Sequence, residues 1–160
     1  MKTKLTYLIF FILFALLGFS REFFFVNVNN QLYKLYYHHD DVVIPPSLSF
    51  ITHFDYQTLY YLKFPFTIIY FLAYFLVSYF AVKLLCHEKK YAKWIIYIYS
   101  LLLGLAIVTM LYNYTVNNQL DGEEYTFSRW LMGIAQSPLV AFFIIASSKL
   151  YQKFQTEHIK

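Results

Sequence analysis

The chain has 160 residues, of which 59% are apolar, 23% are aromatic and only 14% are charged. A soluble domain carries about 45–50% apolar and about 25% charged residues, and a chain of this size could not bury such an excess. The hydrophobicity excludes a disordered chain, and the single cysteine excludes a disulfide framework. The composition therefore predicts an integral membrane protein, whose net charge of +4 reflects topology and not nucleic-acid binding.

Four stretches are long and apolar enough to cross a bilayer as helices, which takes about 20 residues. They cover approximately residues 5–26, 64–85, 91–112 and 127–148. The runs are continuous, whereas spanning strands would alternate apolar and polar residues. The prediction is an all-α integral membrane protein with a single membrane domain over residues 1–160: a four-transmembrane-helix bundle with an outer, membrane-hugging cap segment over about 27–63.

Basic residues near the span ends predict the orientation, because they collect on the cytoplasmic side. With the N-terminus in the cytoplasm, nine of the 13 Lys and Arg residues lie inside and four lie outside. Both termini are therefore expected in the cytoplasm. The first span also resembles a signal peptide that would be cleaved after Ser20 and leave three spans. The apolar residues that resume at Phe23 favour a retained helix.

The segment between the first two spans, residues 27–63, is rich in aromatic residues and too apolar to extend freely into solvent. Val28 and Leu32 begin a helical spacing that predicts an interfacial turn or two over 29–37. The Pro-Pro pair at 45–46 interrupts regular structure, and a second short helix is expected to begin near residue 47 or 49. We expect this segment to pack over the outer ends of the spans.

Two prolines lie within the predicted spans. Pro65 is expected in the first turn of the second span, where its missing N–H costs nothing. Pro138 lies in the middle of the fourth span, where it frees a carbonyl one turn earlier and predicts a kink; Gln136 or Ser137 can bond that carbonyl or reach a neighbouring helix. Small residues at helical spacing predict close packing of the third and fourth spans, with a subunit interface as the alternative. They are Ser100, Gly104, Gly133, Ser137 and Ala141.

Arginines at the outer ends of two spans are the leading candidates for contact with a partner or substrate. Arg21, followed by Glu22, closes the first span, and Arg129 opens the fourth. The planar guanidinium suits anionic or peptide groups, while the alternative is a side chain that anchors the helix end or makes a surface ion pair. Gln136 and Ser137 complete the predicted contact set.

A weaker candidate site consists of acidic and imidazole side chains in the outer segment: His38, His39, His53 and Asp55. Neighbouring residues point in different directions, and zinc ligands usually lie at wider spacing, so a solvated turn is favoured. Cys86 is expected at the cytoplasmic end of the second span, where a catalytic pair with its neighbour in sequence is not expected. No catalytic residue, metal or cofactor is predicted.

Short strings along most of the chain carry a family resemblance. They are Arg21-Glu22 before an aromatic run and Asn27 to Asn30, then His87-Glu88-Lys89-Lys90, Ser128-Arg129-Trp130-Leu131, Gln136-Ser137-Pro138-Leu139 and Tyr151-Gln152-Lys153. Together they resemble the small four-pass bacterial proteins called exosortase-associated membrane proteins, of the exosortase F- or X-associated type. The resemblance implies an accessory protein of the bacterial inner membrane, beside an exosortase-like enzyme that processes sorting signals. It implies no catalytic residue in this chain.

The leading functional hypothesis is therefore a non-catalytic accessory subunit of a membrane protein-sorting or processing system. One alternative is a small membrane enzyme or metal-binding protein that uses the outer His and Asp residues. Another is an oligomeric transporter or channel, which the absence of charged residues in the middle of the spans disfavours. The expected partners are membrane lipids and another integral membrane protein, with no nucleic acid; a homo-oligomer remains open.

Overall fold

The structure is a computed structural model that describes residues 2–38, 43–86, 88–117 and 126–158. Within these residues, all regular secondary structure is helical. In chain order the elements are α1 (Lys2–Tyr37), a 3-10 helix (Pro46–His53), α2 (Tyr56–Leu85), α3 (Lys89–Asn117), α4 (Thr126–Ala135) and α5 (Leu139–His158). The predicted all-α class is confirmed.

Three of the helices are long and apolar enough to cross a membrane. The qualifying stretches are Lys4–Tyr37, Tyr56–Leu85 and Lys89–Tyr112. α4 and α5 qualify together as a pair, but the chain bends by 56° between them, so the described residues hold three candidate spans, or four if the bent pair is one span. Most residues of these apolar stretches are not buried inside the protein, as is typical of helices that lie in a bilayer.

The chain divides into two compact units. The first comprises residues 15–70 and is called the 15–70 unit. The second comprises residues 1–14 and 71–160 and is called the bundle unit.

The 15–70 unit is built on a core shared by three helical elements. Its buried members come from α1, the 3-10 helix and the start of α2: Phe24, Val28, Leu32, Leu48, Ile51 and Leu59. The first three recur every four residues and so share one face of α1. Because this stripe continues past residue 26, residues 29–37 extend α1 and do not form the separate interfacial turn that was predicted. The predicted short helix is present as the 3-10 helix.

Local chemistry sets the helix ends in the 15–70 unit. α1 ends at Tyr37, and the next residue, His38, has a left-handed backbone with φ 55°, the conformation that commonly terminates helices. α2 begins directly after Asp55, whose Oδ2 accepts a hydrogen bond from the Thr58 N–H at 3.4 Å, as an N-cap does. Because α2 starts at Tyr56, Pro65 lies inside the helix and not in its first turn, which corrects that expectation.

In the bundle unit, α3 packs along α4 and also contacts α5. The Ser128 hydroxyl on α4 donates to the carbonyl oxygen of Ala106 on α3 at 3.1 Å. The start of α1 enters this unit through Phe14, whose ring lies 6.2 Å from that of Tyr74 and 5.6 Å from that of Phe142. Aromatic contacts therefore bring α1, α2 and α5 together.

Candidate functional site

A group of aromatic rings, all exposed except for the half-buried Tyr60, connects the end of α1 with the start of α2 in the 15–70 unit. We call it the tyrosine surface, and it comprises Tyr33, Tyr36, Tyr37, Tyr56, Tyr60 and Tyr61. Ring centroids along it lie 4.6 Å apart for Tyr33 and Tyr37, and 5.9 Å apart for Tyr36 and Tyr56 across the two helices. Tyr36 and Tyr61 are each 63% exposed. The surface is therefore continuous and accessible.

Helical spacing and the core beneath explain why these rings come together. Tyr33, Tyr36 and Tyr37 are three and four residues apart and so are neighbours on α1. Tyr56 and Tyr60 have the same relationship on α2, and Tyr60 packs against the core. The left-handed His38 and the Asp55 cap end one helix and begin the other beside the rings.

The tyrosine surface suits binding to another apolar surface better than it suits acid–base chemistry. Tyrosine combines a large apolar ring with a polar hydroxyl, which favours both protein interfaces and the lipid headgroup region. The Lys63 ammonium lies 5.9 Å from the Tyr60 ring centroid and adds a positive charge at its edge. Hydrogen bonds from Thr58 lower the pKa of Asp55, which caps α2.

Arg21 lies on the same unit, against an aromatic ring. Its guanidinium carbon is 5.6 Å from the Phe25 ring centroid, a distance at which a cation is attracted to the ring face. Phe25 in turn contacts Tyr70 on α2, whose hydroxyl lies 2.8 Å from the Ser20 hydroxyl. Arg21 is half-buried and Glu22 is exposed. Both residues therefore have surface from which a partner could be contacted.

Two amide side chains lie buried on α1 and were not predicted as site residues. The Asn27 amide donates to the Phe23 carbonyl oxygen at 2.7 Å. Gln31, one turn further on, is 3% exposed, and its side-chain oxygen is buried without a hydrogen-bond partner in the described part of the chain. The sequence could have indicated these two buried amides, because Asn27 and Gln31 are four residues apart and lie beside the buried apolar stripe of α1. A buried acceptor without a partner costs about 1–3 kcal/mol.

The break between α4 and α5 confirms the predicted effect of Pro138. α4 ends at Ala135 and α5 begins at Leu139. The Ser137 hydroxyl donates to the Ile134 carbonyl oxygen at 2.7 Å, which is the group that Pro138 leaves without its usual N–H. Gln136 is buried, which places it inside the bundle unit, whereas Arg129 is exposed on α4.

Close helix contact does not occur at the two predicted glycines. A methyl group added to Gly104 or Gly133 would meet no atom within 4 Å, and Ser100 is exposed. α3 does pack along α4 as predicted, but the close approach is not at these two glycines. Ala141, from the same predicted set, is fully buried.

Polar pairs in the bundle unit, which the sequence did not single out, join its helices at buried positions. The Ser78 and Tyr99 hydroxyls lie 2.9 Å apart between α2 and α3. The Cys86 thiol lies 3.1 Å from the Ser148 hydroxyl, between the end of α2 and α5. The sequence carried no signal for these pairings, because each depends on which helices are neighbours.

The weak metal candidates are not brought together among the described residues. His38 and His53 are both exposed, and Asp55 caps α2, while His39 lies outside the described residues. Across residues 2–38, 43–86, 88–117 and 126–158, no three His, Cys, Asp or Glu side chains form a group that could hold a metal ion.

Searches among protein families, curated proteins and solved structures found no match to this chain. The comparisons therefore supply no information on function, and a functional site has to be inferred from the geometry of the chain's own residues. The 15–70 unit offers the tyrosine surface with Arg21 and Glu22, and the bundle unit offers a broken helix and buried polar pairs.

Proposed function

We propose that the chain is a four-pass protein of the bacterial inner membrane with both termini in the cytoplasm, α4 and α5 together forming the fourth span. The hydrogen bond from Ser137 to the Ile134 carbonyl supports a single broken span, because a helix break in a bilayer needs its freed backbone groups bonded. The uneven distribution of Lys and Arg supports the orientation. In this topology, the outer side receives the described residues of the segment 27–63, which are the end of α1, the 3-10 helix and the start of α2.

We further propose that the protein is a non-catalytic accessory subunit that binds a larger integral membrane protein. The observation that carries this proposal is the tyrosine surface, a continuous patch of five exposed rings and the half-buried Tyr60, held on a packed core. Tyrosine is enriched in protein interfaces, because its rigid ring buries much area at little cost in conformational entropy. Scattered interfacial rings are enough to anchor a helix, whereas a continuous patch favours a partner.

The partner we propose is an exosortase-like membrane enzyme that processes sorting signals, as the family resemblance implies. Arg21 and Glu22 are proposed as polar contacts on the 15–70 unit, which carries the tyrosine surface, and Arg129 is proposed as a separate polar contact on the bundle unit. The accessory role supports its partner's activity and needs no reacting group in this chain.

Site-specific crosslinking in cells tests the accessory role. A photoreactive phenylalanine analogue replaces Tyr36 or Tyr61 of the tyrosine surface, and Phe143 on α5, which is 73% exposed, is the matched control position. The expected result is one membrane protein, identified by mass spectrometry as exosortase-like, that crosslinks from positions 36 and 61 and not from 143. Equal crosslinking from all three positions, or only lipid adducts at 36 and 61, would refute the proposal.

Arginine substitutions test the proposed polar contacts separately. The Arg21→Ala/Arg129→Ala double variant is expected to reduce co-purification of the crosslinked partner, while Lys93→Ala on α3 leaves it unchanged. If the double variant retains full co-purification and processing, the two arginines are not contact residues, whatever happens at the tyrosine surface.

Cysteine labelling tests the topology. Cys86 is the only cysteine, so a Cys86→Ser chain carrying Lys89→Cys or Thr52→Cys reports a single position. A membrane-impermeant maleimide is expected to label position 52 in intact cells and position 89 only in inverted vesicles. Labelling of both positions from the same side would overturn the four-pass arrangement.

A further inference from the structure

A cavity of about 250 Å³ lies between α1, α2 and α5 within the bundle unit. Its walls include Tyr7 and Phe11 on α1, Ala81 and Leu85 on α2, and Ala146 on α5. Phe11 and Ala146 are exposed, so the cavity opens on the outer surface of the helices. Nearly all of its lining is apolar, and apolar cavities do not hold water. In a bilayer, the molecules that surround such an opening are lipid acyl chains.

Two lysines lie about one helical turn beyond lining residues of this cavity. Lys4 precedes Tyr7 by three residues and Phe11 by seven, and so lies on the same face of α1. Lys149 follows Ala146 by three residues and Ile145 by four, which places it on the cavity face of α5. Each lysine is thus about one helical turn from a lining residue.

The two lysines also lie at the same end of the cavity. The rings of Phe14 and Phe142 are in contact, and from there the cavity is lined by α1 back to Tyr7 and by α5 forward to Ala146. Since both stretches face the same cavity, the N-terminal end of α1 and the C-terminal part of α5 extend from this contact in the same direction. At about 1.5 Å per residue, Lys4 lies about 15 Å and Lys149 about 10 Å from this contact. The Cys86–Ser148 hydrogen bond joins α2 to α5 at the depth of Lys149.

We infer that this cavity binds one acyl chain of an anionic phospholipid, whose phosphate lies between Lys4 and Lys149. The apolar walls match the chain, and the two ammonium groups at one end match the negative headgroup. A zwitterionic lipid offers the same chain without the net charge. This lipid site lies in the bundle unit and does not depend on the accessory role proposed above. In the proposed topology it faces the cytoplasmic leaflet.

Native mass spectrometry of the full chain in detergent, supplied with equal amounts of phosphatidylglycerol and phosphatidylcholine of identical acyl chains, tests the inference. The expected result is one retained phosphatidylglycerol, bound about 30-fold more tightly than phosphatidylcholine, since each lysine near an anionic headgroup contributes about 1 kcal/mol. Lys4→Gln/Lys149→Gln should abolish this preference. Lys93→Gln, which removes an exposed lysine from α3, should leave it intact.

A second pair of variants tests the cavity itself. Ala146→Phe fills the cavity and should abolish retention of both lipids, while Ser147→Phe at the adjacent exposed position should retain them. Thermal unfolding without added lipid verifies that each variant is folded, and Ala146→Leu replaces Ala146→Phe if the latter is not. Equal binding of the two lipids by the wild-type chain, unchanged binding by the cavity-filling variant, or an equal loss in Lys93→Gln would each overturn the lipid site.

Discussion

The Ser137 hydroxyl donates a hydrogen bond to the carbonyl oxygen of Ile134 at 2.7 Å, in the turn where Pro138 has no N–H to offer. The same hydroxyl lies 3.4 Å from the Leu139 N–H, at the start of α5. One side chain therefore bonds backbone groups on both sides of the 56° bend. In a bilayer, where water cannot take over these bonds, the bend depends on this serine.

Removing the Ser137 hydroxyl should destabilise the protein only while Pro138 is present. Ser137→Ala is expected to lower the free energy of unfolding in micelles by about 1 kcal/mol, because the Ile134 carbonyl loses its donor. In a Pro138→Ala background the restored N–H can bond this carbonyl, so Ser137→Ala should have little effect. A double-mutant cycle measures the difference. Equal losses in the two backgrounds would show that Ser137 acts elsewhere.

Replacing the buried Gln31 amide should stabilise the 15–70 unit. Its oxygen is buried without a partner among the described residues, and Met has nearly the same shape without the polar atoms. Gln31→Met is expected to raise the free energy of unfolding by about 1 kcal/mol. Asn27→Leu is the matched control: it removes an amide that bonds the Phe23 carbonyl and should not stabilise. A destabilised Gln31→Met chain would mean that this amide makes a needed contact.

The features of the fold that could be predicted from sequence are those set by residues close together in the chain. The Pro138 break followed from one missing N–H, and the apolar stretches followed from composition. The start of α2 at Tyr56 was missed because apolar length marks only the part of a helix that can cross a membrane. Asp55 was the sequence signal for the start of α2 at Tyr56, because an aspartate at the N-cap accepts a hydrogen bond from the N–H three residues later, here that of Thr58.

Other features depend on which helices are neighbours, and a single sequence does not supply that. The Ser78–Tyr99 pair joins α2 to α3, and neither residue stands out within its own helix. The small-residue spacing predicted contact at Gly104 and Gly133, but spacing alone does not say which face meets a neighbour. The tyrosine surface was foreseen only as an aromatic outer segment, because its continuity requires α1 and α2 to be side by side.

Titration of Asp55 should make the stability of the protein depend on pH. Hydrogen bonds from Thr58 lower its pKa in the folded chain below the ordinary value of 3.8. Its contribution is therefore fully present above that value and is lost as the pH falls through the lower, folded-state pKa. Thermal midpoints measured on both sides of pH 3.8 should fall at acid pH in the wild type.

Asp55→Asn separates this titration from helix capping, since Asn also caps helices but does not ionise. We expect the Asn variant to keep the wild-type start of α2 and to show a smaller acid-induced decrease in thermal midpoint. Asp55→Ala should lose both the helix cap and the contribution of Asp55 to the acid-induced decrease in thermal midpoint. An identical acid response in the wild type and the Asn variant would assign the pH dependence to other carboxylates.

The Cys86 thiol should react slowly in the folded protein. It is buried and lies 3.1 Å from the buried Ser148 hydroxyl, so a maleimide can reach it only when α2 and α5 separate locally. Labelling should be far slower in mild detergent than in SDS. Lys89→Cys in a Cys86→Ser background, an exposed position at the start of α3, should label rapidly in both.

Ser148→Ala should accelerate labelling of Cys86. A polar contact between membrane helices contributes about 0.6 kcal/mol on average, so its loss is expected to raise the rate about threefold. Ser147→Ala, which changes an adjacent exposed hydroxyl, should leave the rate unchanged. Rapid labelling of the wild-type thiol would mean that the end of α2 is not held against α5. Equal acceleration by both serine variants would mean that the Ser148 hydroxyl has no specific part in holding the two helices together.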